Sequence, residues 1–253
     1  MKGNVTLEII GVKLPLIKKG DDLGRLIVEH CKKQGISIDD GDIFVVAQTV
    51  VSKSEGRIVN LNTVKPSKKA IEIARKIDKD PKLVEIILRE SKEIVRIGNR
   101  AIITETKHGF ICANAGVDCS NIPAGYATLL PENPDRSANA IRNTIKRITG
   151  KNIAVIISDS HGRAFRKGSV GVAVGIAGIP PLVDKKGCKD LFGNILKTTE
   201  IALADEIASA ATLVMGESDE GIPVAIIKGL SYEPKEGVQI KELLRDKKED
   251  LFR

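Results

Sequence analysis

The chain has 253 residues, 42% hydrophobic and 29% charged, which excludes a disordered polypeptide and allows a sizeable core. Forty Lys and Arg against 33 Asp and Glu give a net charge of +7, a balance suited to acidic or phosphate-bearing ligands. Without Trp and with 3% aromatic residues there are few stacking platforms for nucleic acid, and no apolar run reaches the roughly 18 residues of a membrane span, so the chain reads as cytoplasmic, with neither nucleic acid nor membrane as partner.

Strand-like and helix-like segments alternate, which predicts a mixed α and β protein of the α+β class in a single unit over residues 1–253. Residues 5–12 read as a strand. Asp21 and Asp22 precede an amphipathic helix over 23–34, stopped by Gly35. Asp42 opens an apolar strand over 43–47. Ser67 caps a helix over 68–77, and Pro81 starts another through Glu93. Residues 101–106 and 110–113 flank Lys107-His108-Gly109 as a hairpin. Asp135 caps a helix over 136–149, ended by Gly150, and 153–157 is a fully apolar strand. Residues 198–214 form a helix with Ile201, Ala204, Ala208 and Ala211 on one face, small enough for close packing. A strand over 224–227 and a charged tail from Glu236, read as a surface helix, complete the chain. The four cysteines, Cys31, Cys112, Cys119 and Cys188, show no CxxC pairing and read as reduced thiols.

Chemistry concentrates in four segments. Ser158-Asp159-Ser160 follows the strand over 153–157, where a carboxylate and hydroxyls offer hard oxygen ligands to magnesium or manganese, or else a turn cap. Asp118 and Asn121 place an anion and an amide three residues apart in a loop that Gly116 allows to turn tightly, either as ligands or as an Asx turn. Glu217, Asp219 and Glu220 make an acidic loop between two glycines, either part of a cation site or a solvated helix end. Arg163, Arg166 and Lys167 precede a glycine-rich run and suit a phosphate or carboxylate on the substrate; the run itself reads as a packed strand pair, and it contains no P-loop. His30 is placed on a helix surface, His108 in a hairpin turn, and His161 beside Asp159 as a ligand or base. No Ser-His-Asp or Cys-His arrangement can be read from the order of residues. Hard oxygen donors on three loops, a basic cluster and no nucleophile motif fit phosphoryl chemistry with divalent metals.

Six strings, Leu14-Pro-Leu-Ile-Lys-Lys-Gly-Asp-Asp-Leu23, Ser52-Lys-Ser-Glu-Gly-Arg57, Asn114-Ala-Gly-Val-Asp-Cys-Ser-Asn121, Leu130-Pro-Glu-Asn-Pro-Asp-Arg-Ser137, Ser158-Asp-Ser-His-Gly-Arg163 and Met215-Gly-Glu-Ser-Asp-Glu-Gly-Ile-Pro223, run in order over nearly the whole chain. Together they resemble the coenzyme F420-0:L-glutamate ligase (gamma-glutamyl ligase) family in its stand-alone archaeal form. The resemblance implies a GTP-dependent ligase that adds L-glutamate to coenzyme F420-0 through an acyl phosphate, releasing GDP and phosphate. It implies two interwoven lobes around a nucleotide cleft, a homodimer, and Mg2+ or Mn2+, with K+ as a further candidate. By resemblance the metal ligands are Asp118, Asp159, Ser160 and Glu217, and the catalytic set is Asp118, Asp159 and Lys53. The implied nucleotide contacts are Leu14, Pro15, Leu16, Ile17, Gln48, Thr49, Lys53, Asn121, Met215, Gly216, Glu217, Ser218, Asp219, Glu220, Gly221 and Ile222. No role is implied for His161. The competing readings are a metal-dependent amide ligase acting on another carboxylate cofactor and a basic nucleotide- or RNA-binding module.

Overall fold

A computed structural model describes residues 6–250. The chain begins with β1 (Glu8–Val12), α1 (Leu23–Lys33) and β2 (Ile43–Ala47); the expected strand start at Val5 lies outside the described residues. α1 opens where the Asp22 carboxylate accepts the Arg25 backbone N–H at 3.1 Å, and it buries Leu23, Ile27 and Cys31, four residues apart, on one face. α2 (Gln48–Glu55) follows directly on β2, and then comes β3 (Ile58–Asn60).

The next stretch builds a core of its own. It holds α3 (Lys68–Ile77), α4 (Pro81–Glu90), β4 (Ser91–Ile97), β5 (Ile102–Thr106), β6 (Ile111–Ala113) and β7 (Tyr126–Thr128). Ile73, Ile77, Val84, Ile87, Ile102 and Ala127 are buried together there, separately from the main core. β4, β5 and β6 form an antiparallel sheet, and β5 and β6 are the expected hairpin.

The chain then returns to the main core with α5 (Pro134–Thr149), β8 (Ala154–Arg163), β9 (Arg166–Ala177), β10 (Val183–Asp184), β11 (Glu200–Ile201), α6 (Leu203–Met215) and β12 (Val224–Lys228). The central sheet has the order β1-β12-β2-β8-β9. Its middle strands are almost unbroken runs of Ile, Val and Phe because helices cover them. Phe44, Ile156 and Ile157 have no exposed surface, and each contributes about 1.5–3 kcal/mol by burial.

Register decides where chemistry can sit. Val12 pairs with Val224, Val224 with Val46, and Val46 with Ile157. One row across four strands therefore marks a single end of the sheet. The segments that leave that row are 13–17 after β1, α2 after β2, 158–163 along β8, and 215–223 before β12. β9 is an edge strand, and side chains close it: Asp205 of α6 accepts the Ala173 N–H at 2.9 Å and Asp135 accepts that of Ile176 at 2.9 Å. α6 rests on β9, where the Ser209 hydroxyl donates to the Gly171 carbonyl at 2.8 Å, and it buries Ala204, Ala208 and Ala211 of its small face. Beneath it a Cβ on Gly171 would stand 2.5 Å from the Ala208 carbonyl oxygen, so only glycine allows this approach.

Five expectations are corrected. α5 begins at Pro134 under an Asn133 cap, because proline is pre-set for the first helical position; Asp135 serves β9 and Ile240 instead. α4 ends at Glu90, because from Ser91 the chain pairs with β5. α6 starts at Leu203, since Glu200–Ile201 is paired with β10. The tail forms a short 3₁₀ turn, Ile240–Leu243, anchored by buried Val238 and Ile240, in place of a surface helix. Ser158, Asp159 and Ser160 do not follow a strand end: β8 continues through them to Arg163, with a bulge between Ile157 and Ser158.

Candidate active site

A cleft of about 620 Å³ opens at the end of the sheet marked by that row, within the size range of small-molecule sites. Asp118, Asp159, Ser160 and Glu217, distant in the sequence, all line it. So do Leu14, Pro15, Leu16, Ile17, Thr49, Lys53, Asn121 and the whole of 215–222. Gln48 stands behind the wall. It is buried, accepting from the Ser52 hydroxyl at 3.0 Å and donating to Thr49 at 3.2 Å. Arg163, Arg166 and Lys167 stand apart from the lining, exposed at the tip of the β8–β9 hairpin. The lining also includes His161, read from the sequence as a ligand or base beside Asp159, and Asn114, Ser120 and Gly162, which carry no individual role in the sequence reading.

Asp118 is fixed through its backbone, which pairs with Thr128 at 2.8 and 3.1 Å; its carboxylate accepts from the Ser120 amide at 3.0 Å and from the Ser120 hydroxyl. The turn before it, Asn114–Gly116, has three successive residues in the left-handed region, with φ of 54°, 55° and 68°. Asn114 tolerates this conformation, but for Ala115 it costs roughly 1–2 kcal/mol. The Asn114 side chain fastens the turn by accepting the Ile102 N–H at 3.3 Å. Such strain is concentrated at functional sites.

The acidic loop is built around Glu220. Its carboxylate folds back to accept the Ser218 N–H at 2.8 Å, and backbone hydrogen bonds, chiefly from its own N–H, hold its pKa below the usual carboxylate range. Gly216 (φ 71°) makes room, since a Cβ there would meet that carboxyl at 2.1 Å. Glu217 is left to reach across the cleft, accepting the Ser160 hydroxyl at 2.6 Å.

Two further contacts close the cleft. The Asn121 amide donates to the Ser218 carbonyl at 3.1 Å, and the Lys53 ammonium, in the last turn of α2, donates to the Asn121 carbonyl. Burial pulls the Lys53 pKa below the ordinary lysine value, and the charge of Asp118 opposes that pull. His161 hydrogen-bonds Asp159 at 3.0 Å; burial would lower its pKa, but its bonds to Asp159 and Cys112, and their charges, hold it up at about 10.

Charge defines what the cleft can accept. Five carboxylates, those of Asp118, Asp159, Glu217, Asp219 and Glu220, face one lysine and one histidine. A polyphosphate entering alone would be repelled. Among the described residues no three His, Cys, Asp or Glu side chains converge into a closed metal cage. Magnesium rarely needs one, being held by one or two carboxylates while phosphates and waters complete its octahedron. The hard oxygens of Asp118, Asp159, Ser160 and Glu217 suit such an ion.

An α+β chain with five acids, a lysine and a histidine around a cleft of small-molecule size has the features of an enzyme. The sequence model of the family described as F420-0:Gamma-glutamyl ligase matches residues 11–229, and the chain belongs to that family. It is 54% identical over 249 residues to the Coenzyme F420:L-glutamate ligase of Methanocaldococcus jannaschii, covering 98% of this chain and 97% of that one. The protein of the same name from Methanothermobacter thermautotrophicus is 51% identical (98% and 99% covered), and that of Archaeoglobus fulgidus 43% (98% and 96%). No described helix is long and apolar enough to cross a membrane.

Proposed function

We propose that the chain joins L-glutamate to the carboxylate of coenzyme F420-0 at the expense of GTP, through an acyl phosphate. The observation that carries this reading is the convergence of five carboxylates and Lys53 in one cleft at the end of the sheet. Such a site is built to bring cations to polyphosphate. Family membership supplies the acceptor and the amino acid.

The chain's own groups then have the following tasks. Lys53 gives up its bond to Asn121 and places its ammonium on the phosphates as a mobile point charge. Residues 14–17 and the loop 215–222 flank the nucleotide with backbone amides and packing surface, and Asn121 clasps it by way of Ser218. Asp118, Asp159, Ser160 and Glu217 would hold Mg2+ or Mn2+, which supplies neutralisation of the triphosphate charge. An F420-0 carboxylate oxygen attacks the γ-phosphorus as the bond to the β-phosphate oxygen breaks, giving acyl phosphate and GDP. The glutamate amine, having lost a proton, attacks the acyl carbon; the amide forms and inorganic phosphate leaves. The exposed Arg163, Arg166 and Lys167 suit an anionic part of the acceptor that extends past Gly162.

A homodimer is part of the same reading. The arm between β10 and β11 carries Leu191, Phe192 and Ile195 exposed, a patch that a second copy would cover. Light scattering of the parent and of Phe192→Asp tests it: a dimer that dissociates in the variant supports the assignment, and a monomeric parent refutes it.

The activity test is mass spectrometry of F420-0 incubated with GTP, L-glutamate and Mg2+ or Mn2+. The expected product carries added glutamate, with GDP and phosphate formed in step. GTP hydrolysis that leaves F420-0 unchanged, alongside glutamylation of another carboxylate in a panel, would overturn the substrate assignment.

A further inference from the structure

We propose that His161 is a positioning residue that sets the Asp159 carboxylate for cation binding, an inference that rests on the reading of Asp159 as a metal ligand. Asp159 and His161 are two residues apart in β8, so both project from the same face of the strand. Their side chains are 16% and 14% exposed, on the cleft wall. The two carboxylate oxygens are engaged differently. Oδ1 accepts the N–H of the next residue, Ser160, at 2.9 Å, a bond any residue at position 160 except proline would supply. Oδ2 is engaged by the His161 ring at Nε2, 3.0 Å away. The carboxyl torsion of Asp is intrinsically broad, so one hydrogen bond leaves the plane of the group free to rock, and the second fixes it. With both made, the carboxylate keeps lone pairs for an ion.

The ring is itself held. Cys112 on β6 and the Asp205 carboxylate of α6 lie close enough to interact with it electrostatically. Asp205 is immobilised in turn by the Ala173 N–H at 2.9 Å. β6, β8 and α6 thus surround one imidazole, and the imidazole braces the carboxylate. Groups that orient metal ligands in this way change metal affinity by about 10- to 100-fold when removed.

The test compares Mn2+ binding, read from loss of the free-ion electron paramagnetic resonance signal with Mn2+ alone as the probe. The proteins are the parent, H161Q, H161N, H161F and D159N. Gln carries an amide donor near the position of Nε2; Asn is too short to reach it, and Phe has no donor. The expected result is Mn2+ affinity about 10- to 100-fold weaker in H161N and H161F, with H161Q within about threefold of the parent. The KM for Mn2+ should follow the same order, with kcat recovering at saturating Mn2+, which a merely structural role would not produce. If D159N loses affinity while H161N and H161F bind like the parent, the inference is overturned and the metal reading stands. If D159N also binds like the parent, the metal reading fails and the inference fails with it. Should H161F not fold, H161N against H161Q decides the same question.

Discussion

Lys53→Met isolates the cationic part of the site. The lysine lies in the last turn of α2, half-buried, with its ammonium on the Asn121 carbonyl. Met keeps the length and the apolar stem while removing the charge. A hydrogen bond from a charged group to phosphate is worth about 1.5–3 kcal/mol, which at 1.4 kcal/mol per decade weakens nucleotide binding about 10- to 150-fold. Folding stability should change far less, because losing the bond to Asn121 is offset by relieving the burial that already disfavours the charged amine. Calorimetric titration with a non-hydrolysable GTP analogue and Mg2+, beside thermal unfolding of the free protein, measures both. A Kd within about twofold of the parent would refute the placement of Lys53 on the phosphates.

Gly171→Ala sets a methyl against the Ala208 carbonyl at 2.5 Å, and overpacking of this kind should lower stability by about 1–3 kcal/mol in denaturant melts; an unchanged midpoint would contradict the α6–β9 packing. A thiol reagent at pH 8 should label Cys188 and, more slowly, Cys119 in the native protein, because Cys31 and Cys112 are buried and burial raises the Cys31 pKa to about 11; rapid labelling of Cys31 would be contrary to the fold. In metal-free protein the His161 pKa is raised from 6.5 to about 10, so its stabilisation is complete below pH 6.5 and is lost as the pH climbs toward 10. The parent should therefore lose more stability than H161Q over that range, and parallel pH profiles would contradict the pairing with Asp159.

Local signals carried much of the fold. The i, i+4 spacing and Asp22 cap of α1, the Ser67 cap of α3 and the all-apolar stretch of β8 are each written within a dozen residues. Elements decided by distant partners were not legible in the same way. Gln48–Glu55 carries Val50 and Val51, β-branched residues that weaken a helical signal, yet it coils because it closes the end of β2. Polar residues 158–163 stay extended because β9 pairs with them. Glu200–Ile201 is a strand only because Val183–Asp184 lies opposite. The acids of the site could be named from residue type and resemblance, but their convergence depends on the register linking Val12, Val224, Val46 and Ile157, which no single segment contains. The Asp159–His161 pair had a local signal, the two-residue spacing, which becomes readable only once that segment is known to be a strand.

The most direct test of the account is a crystal structure with GDP and Mn2+, with manganese located by anomalous scattering. Manganese should be bonded to oxygens of Asp118, Asp159, Ser160 and Glu217 and to the nucleotide phosphates, with guanosine between residues 14–17 and the loop 215–222. Manganese or nucleotide bound elsewhere, with those four side chains left without an ion, would contradict it.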